Sequence, residues 1–304
     1  MRLLSAVLFA AALNAGEPNH IVRVVSVTQA DLTRGPKLFE ETMARLESAA
    51  SFRPDIAVLP ELAIEGPNPD TKRLAAWAKR NSSYLIYGIT TQREGKSYNS
   101  AVLLDRKGNA VGHYDKMHPT ENELKAGTMP GEADQPVFET DFGIIGIQIC
   151  FDVNWWNSWS RLKQKGAKIV FFPSAYPAAR QIAALALANQ FFVVTSAQSR
   201  SSNIYGIVGD TIATTGRYQP YAAAALPIGR RLFEVDFNHP KARAIMQKYG
   251  PKVEVVWHHD DDWFTLASLA PDLTVDELIA EYGLTPLDEY RVRAKKAVDQ
   301  ARQR

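Results

Sequence analysis

The 304-residue sequence contains one cysteine, Cys150. A lone thiol closes no internal disulfide and cannot form a zinc site made of several thiolates. Three readings stay open: a buried small hydrophobe, an intermolecular link, or a nucleophile. A nucleophilic thiol needs a base to take its proton and a nearby cation to favour the thiolate. Two residues have the right chemistry in the right kind of place. Glu61, in Leu59-Pro60-Glu61-Leu62, follows the apolar run 55–59. Lys116, in Tyr114-Asp115-Lys116-Met117-His118-Pro119, follows the run 110–114, and Cys150 follows the run 144–149. Each stands just past a strand-like segment, where a rigid frame projects a side chain into a shared cleft. Spacing alone does not bring the three together.

The elements that must position them follow from periodicity. The β-branched run 21–27 predicts a strand. Leu38, Phe39, Met43, Leu46 and Ala50 predict a helix over 36–51, with Pro36 suited to its start. Further strands are expected over 55–59, 84–91, 98–105, 110–114, 144–149, 168–172 and 191–197, with short ones near 204–208, 210–214 and 231–236. Helices are expected over 70–80, 155–165, 180–190 and 239–249, and a polar, mostly helical tail over 274–304. Strands alternating with helices, and apolar throughout rather than on one face, imply sheets covered by helices. No Pro/Gly/Ser linker divides the chain, which reads as one domain of 19–270 with a C-terminal tail of 271–304.

One positive charge, Arg2, precedes an apolar run over 3–13 and then small residues, the layout of a secretory signal peptide. The run is too short to span a bilayer, which takes about 20 residues. Cleavage is expected after Ala15, with Ala12 as the second choice, giving an exported, periplasmic or extracellular protein with no membrane insertion after signal removal. A net charge of +2 gives no basic excess for nucleic acid. No Gly-x-Ser-x-Gly, His-Glu-x-x-His or Gly-x-x-x-x-Gly-Lys pattern is present, which argues against serine-hydrolase, zinc-protease and nucleotide-binding chemistry.

Pro60-Glu61, Tyr114-Asp115-Lys116-Met117-His118, Pro130-Gly131 and Gly146-Ile147-Gln148-Ile149-Cys150-Phe151-Asp152, in this order, resemble the nitrilase or carbon–nitrogen hydrolase superfamily. Pro173-Ser174-Ala175, Ala188-Asn189-Gln190 and Asp210-Thr211-Ile212-Ala213 match its later positions, and the resemblance runs from about residue 21 to 236. It implies an α/β, four-layer α-β-β-α sandwich, usually as a homodimer or higher homo-oligomer. It implies a hydrolase cleaving a non-peptide C–N bond of a small amide or N-carbamoyl compound, with water and without metal or organic cofactor. In the resemblance Glu61 matches the general base, Cys150 the nucleophile and Lys116 the oxyanion stabiliser, with the Phe151 N–H as a second donor. A second glutamate, which orients substrate and water, falls to Glu121 or Glu123; Glu123 sits nearer the family offset. The family pattern gives His118 no direct catalytic step.

Other residues keep two readings. Trp155, Trp156 and Trp159 either wall an acyl pocket or pack a helix. Tyr176 and Arg180 either meet the substrate or sit at an exposed helix start. Phe151, Trp155 and Tyr176 are the expected substrate contacts. Residues 258–262, His-His-Asp-Asp-Asp, resemble a metal cluster in composition, but extended neighbours point oppositely, so a solvated loop is expected. In the family it resembles, branches that cleave N-carbamoyl amino acids often carry arginine or histidine directly after the Cys-x-x unit; Cys150-Phe151-Asp152-Val153-Asn154-Trp155-Trp156 has neither, so the resemblance implies an amide with a neutral or aromatic acyl part. The alternatives to a hydrolase are an acyltransferase using the same acyl-enzyme and a catalytically silent binding protein of the same fold.

Overall fold

The computed structural model describes residues 21–64 and 70–303, so the expected export signal lies outside them. The chain divides into two compact units, His20–Leu232 and Phe233–Arg304. The strands of the first unit are β1 (Ile21–Val27), β2 (Ile56–Val58), β3 (Tyr84–Arg93), β4 (Lys96–Leu104), β5 (Ala110–Asp115), β6 (Phe138–Thr140), β7 (Gly143–Ile147), β8 (Ile169–Ser174), β9 (Phe192–Ala197), β10 (Asn203–Tyr205), β11 (Thr211–Thr214) and β12 (Tyr221–Pro227). Its helices are α1 (Leu38–Ala49), α2 (Thr71–Asn81), α3 (Glu121–Lys125), α4 (Trp156–Gln164) and α5 (Ala179–Asn189).

Two six-stranded sheets result, in the orders β12-β1-β2-β3-β4-β5 and β11-β10-β9-β8-β7-β6. Each has a parallel centre: β1, β2 and β3 in the first, β7, β8 and β9 in the second. Parallel neighbours deliver their C-terminal ends to one edge. The alternation within each strand explains the continuous apolar runs. Val25 and Val27 of β1 pack with Met43 and Leu46 of α1 and Leu74 and Trp77 of α2. Val170 and Phe172 of β8 pack with Leu162 of α4 and Ile182 and Leu185 of α5. The opposite faces meet: Ser26 Oγ donates to Thr195 O, and Ser196 Oγ to Val27 O at 2.6 Å. The layers are therefore helix, sheet, sheet, helix, as the family resemblance implies.

The strand expected over 144–149 stops at Ile147, and residues 150–154 form a 3₁₀ turn. The cause is local: the Asp152 carboxylate takes the Ile149 N–H, and Cys150 adopts a left-handed φ of 46°. Strand β12 was not expected, because Ala222–Ala225 carry little strand propensity; it forms by pairing with β1 along its whole length.

The second unit holds β13 (Arg231–Glu234) from Phe233 onward, β14 (Val253–His258), β15 (Trp263–Ser268), α6 (His239–Tyr249), α7 (Val275–Tyr282) and α8 (Leu287–Ala301). Its sheet runs β13-β15-β14. Phe233, Ile245, Phe264, Leu266, Val275 and Leu278 share one apolar cluster, so the boundary expected at 270/271 runs through this unit. The segment expected as a solvated loop is a hairpin connection: His258 ends β14, 259–261 form a 3₁₀ turn, and Trp263 opens β15. Among the described residues no group of three His, Cys, Asp or Glu is placed to hold a metal ion. Nor, among them, is any helix long and apolar enough to cross a membrane.

Candidate active site

Glu61, Lys116 and Cys150 all lie beyond strand ends in the first unit. Glu61 follows β2 by three residues and is buried. Its turn, with Leu62 at φ 45°, lies directly on β3. A Cβ on Gly88 would stand 2.4 Å from Pro60 O and from Leu62 N, so only glycine admits this approach. The Glu61 carbonyl accepts from Gln198 Nε2 at 2.5 Å.

Lys116 leaves β5 buried, with its N–H donating to Asn99 O at 2.9 Å and its carbonyl accepting from Gly131 N at 2.9 Å. Pro130-Gly131 thus acts through main chain, and a Cβ on Gly131 would meet Asp115 O at 2.2 Å. Lys116 Nζ donates to Glu61 Oε1 at 2.8 Å and to Glu123 at 3.0 Å and 2.8 Å. Burial works against this ammonium, but Glu61, Cys150 and Glu123 hold its pKa above the ordinary value. Burial likewise pushes the Glu123 carboxyl up, and its bonds from Lys116, Thr120 N–H and Asn99 outweigh that and hold it low. Glu123 is carried by a capping box: Thr120 accepts from the Glu123 N–H, and Glu123 Oε2 accepts from the Thr120 N–H. Glu121, the other candidate, is exposed, with Lys125 at 3.8 Å.

Cys150 is buried and left-handed, a conformation costing a non-glycine residue about 1–3 kcal/mol and concentrated at functional sites. Burial and then the Glu61 charge push its thiol up to about 12, against Lys116 and hydrogen bonds from Ala175 and Ser174. The resting thiol is therefore protonated at neutral pH.

Asp152, fully buried, joins the segments around Lys116 and Cys150. It accepts from Ile149 N at 3.0 Å, Tyr114 OH at 2.8 Å and His118 N at 2.9 Å, and pairs with His118 Nδ1 at 2.8 Å. His118 stacks on Trp155, centroids 3.9 Å apart and planes 3° apart, and Phe151 meets Trp155 edge-on at 5.1 Å. Trp159 packs against Phe172 and Phe191 and donates its Nε1–H to Asp152 O at 3.2 Å, and Trp156 is largely exposed, so of the three tryptophans Trp155 is the one whose ring meets His118 and Phe151. Tyr176 lies two residues past β8, exposed, with its N–H donating to Ser174 Oγ at 3.2 Å. Arg180 is an exposed residue in the first turn of α5.

Asn99 is the residue sequence reasoning missed. Its Nδ2 donates to Glu61 Oε1 and Glu123 Oε1, each at 2.8 Å, so it bridges the two carboxylates that flank Lys116. A signal existed: Asn99 shares one face of β4 with the buried Ala101 and Leu103, and a lone amide there is unusual.

A sequence profile described as carbon-nitrogen hydrolase matches residues 24–230. The chain is 35% identical over 126 residues to deaminated glutathione amidase of Rattus norvegicus, covering 36% of this chain and 38% of that protein. It is 27% identical over 195 residues to omega-amidase NIT2 of Xenopus tropicalis, covering 56% and 70%. Against the hydrolase encoded in the pqqF 5' region of Pseudomonas protegens it is 29% identical, covering 40% and 48%. The chain thus spans between about two fifths and seven tenths of these curated relatives. Among solved structures, a carbon-nitrogen hydrolase of Helicobacter pylori G27 superposes with a TM-score of 0.63 at 19% identity, covering 76% of this chain and 94% of that one. A mutant amidase from Nesterenkonia sp. AN1, solved after Michael addition of acrylamide at its active-site cysteine, gives 0.60 at 17% identity, covering 75% and 99%. With the profile running from β1 to the residue before β13, the chain belongs to the carbon–nitrogen hydrolase family.

Proposed function

We propose that the protein hydrolyses a non-peptide C–N bond of a small amide through a Cys150 thioester. The observation that carries the reading is the Lys116 ammonium held between Glu61 and Glu123, with Asp152 tying the segment around Lys116 to the turn that carries the buried Cys150 thiol. Glu61 takes the Cys150 proton as sulfur attacks the carbonyl carbon. The tetrahedral oxyanion develops against Lys116 Nζ and the Phe151 N–H. The C–N bond breaks as Glu61 returns the proton to nitrogen, and ammonia or an amine leaves. Water, deprotonated by Glu61 and oriented by Glu123, then cleaves the thioester and frees the thiol. Phe151, Trp155 and Tyr176 are proposed to contact the acyl part, and their aromatic character favours a neutral or aromatic group over an N-carbamoyl amino acid.

Ammonia release across primary amides, N-carbamoyl amino acids and nitriles tests the reading. Turnover of at least one amide is expected, with its loss to the uncatalysed rate in Cys150→Ala. Unchanged turnover in that variant defeats the assignment. Added hydroxylamine separates hydrolysis from acyl transfer: product forming only as hydroxamate would make the protein a transferase. Export and homodimerisation belong to the same proposal. Sequencing of the mature N-terminus checks the first, with Gly16 expected, and light scattering of the purified protein checks the second.

A further inference from the structure

A cavity of about 500 Å³ opens in the first unit and includes Arg45, Arg200 and Arg217 among its lining residues. Its position follows from the parallel registers. Thr28, one residue past β1, lines it, and so does Arg200, three residues past β9. Glu61 and Cys150 lie three residues past β2 and β7, strands parallel to β1 and β9 within their own sheets. The cavity therefore opens on the same edge of the sandwich as the catalytic groups, and Gln198, which bonds the Glu61 carbonyl, is two residues from Arg200.

The charge in this cavity is unbalanced. Asp31 is the one carboxylate among its lining residues, and no ion pair joins a carboxylate to Arg45, Arg200 or Arg217 among the described residues. Arg45 is half-buried and fixed: its Nη1 donates to Thr28 O at 2.8 Å and Ala30 O at 2.9 Å. Its remaining N–H groups have no protein partner among the described residues. Burial pulls this guanidinium below its ordinary pKa, with Asp31 and Glu41 acting in the opposite sense. Arg200 and Arg217 are exposed, and Arg217 lies over the Tyr218 ring at 5.5 Å. The Ser201 hydroxyl adds a neutral donor. Guanidinium groups bind the paired oxygens of carboxylates and phosphates with matched geometry.

We infer that Arg45, Arg200 and Arg217 form a binding site for a small oxyanion, a carboxylate or a phosphate, separate from the acyl pocket. Arg45 supplies the fixed donor at the cavity wall, and the two exposed arginines close over the ligand from the loops after β9 and β11. This site does not depend on the proposed hydrolysis, and its test needs no substrate.

The full chain is titrated by calorimetry with potassium phosphate and, separately, with sodium succinate, each against potassium chloride at equal ionic strength. Saturable binding of at least one anion at one site per chain is expected. A preference for phosphate identifies a phosphate ester as the ligand class, and a preference for succinate identifies a carboxylate. Arg200→Gln and Arg217→Gln should each weaken binding about tenfold or more, the scale of one lost charge-assisted hydrogen bond. Both side chains are exposed, so both variants are expected to keep the melting temperature of the unliganded protein. Failure of both anions to exceed the chloride control overturns the site, as does unchanged affinity in both variants.

Discussion

The two sheets bring opposite kinds of chemistry to one edge. From the first come charges that define each other: Lys116 bonds Glu61 and Glu123, and Asn99 bonds both carboxylates from β4. From the second comes a neutral thiol held by its backbone, with Cys150 left-handed in a short turn and its pKa pushed up to about 12. Buried charges need partners, because removing them from water costs more than one attraction returns. The charged side is therefore fixed by side-chain bonds. A thiol makes only weak hydrogen bonds, so its place is set by the turn, and Asp152 fixes that turn by accepting from Ile149 while also holding Tyr114 and His118. The difference teaches where each half is vulnerable: the first to loss of any one charge, the second to change in main-chain geometry.

The sharpest way to break this comparison is Lys116→Met, which keeps bulk and removes the cation. It strands the buried Glu61 carboxylate beside the half-buried Glu123 carboxylate. Breaking a buried pair typically costs about 3–5 kcal/mol, and losing one oxyanion donor typically costs about 10²–10³ in kcat. Both losses are expected together, read by urea unfolding and by ammonia release. A variant that retains turnover within tenfold would show that the charged half does not serve the thiol.

Much of this was legible in the sequence because strand ends are. The strand-like runs before Glu61, Lys116 and Cys150 end where β2, β5 and β7 end, to within two residues. What was not legible arises from contacts distant in the chain. Asn99 reads as one polar residue in a strand until β4 sets it beside Glu61, 38 positions away. Gly88 reads as a break in an apolar strand until the Pro60–Leu62 turn is seen lying on it. The alanine-rich β12 has no strand signature of its own and exists through its pairing with β1. Likewise 233–270 looked continuous with the sandwich, since no linker marks a boundary and its apolar cluster is assembled by non-local packing.

A smaller perturbation tests whether the charged half works as one bonded unit. Asn99→Ala removes the amide that spans both carboxylates and leaves every ionised group in place. Hydrogen bonds to charged groups are worth about 1.5–3 kcal/mol, so kcat is expected to fall about tenfold to hundredfold. KM should change little, because Asn99 is placed to hold Glu61 and Glu123 rather than substrate. A rise in KM at constant kcat would instead make Asn99 a substrate contact.

The smallest expected effect separates the ion pairs from the fold that carries them. The Glu123 carboxyl is held below its ordinary value of 4.5, with burial outweighed by Lys116, the Thr120 N–H and Asn99. A carboxyl lowered in the folded state binds protons more readily once the chain unfolds. Its contribution to stability is therefore present above pH 4.5 and lost as pH falls through the folded value. Lys116, raised above its ordinary 10.5, contributes below that value and loses its contribution only in strong alkali, so it adds no slope in the acid window. Glu123→Gln keeps a side chain able to accept from Lys116 but cannot take up the proton. The variant should be less stable at neutral pH by on the order of 1 kcal/mol, the scale of one net hydrogen bond. Below pH 4.5 its melting temperature should fall less steeply than that of the wild type, so the two curves converge. Parallel curves would mean that the Lys116–Glu123 pair contributes nothing to stability that protonation can remove, and would leave Glu61 as the partner that fixes the lysine.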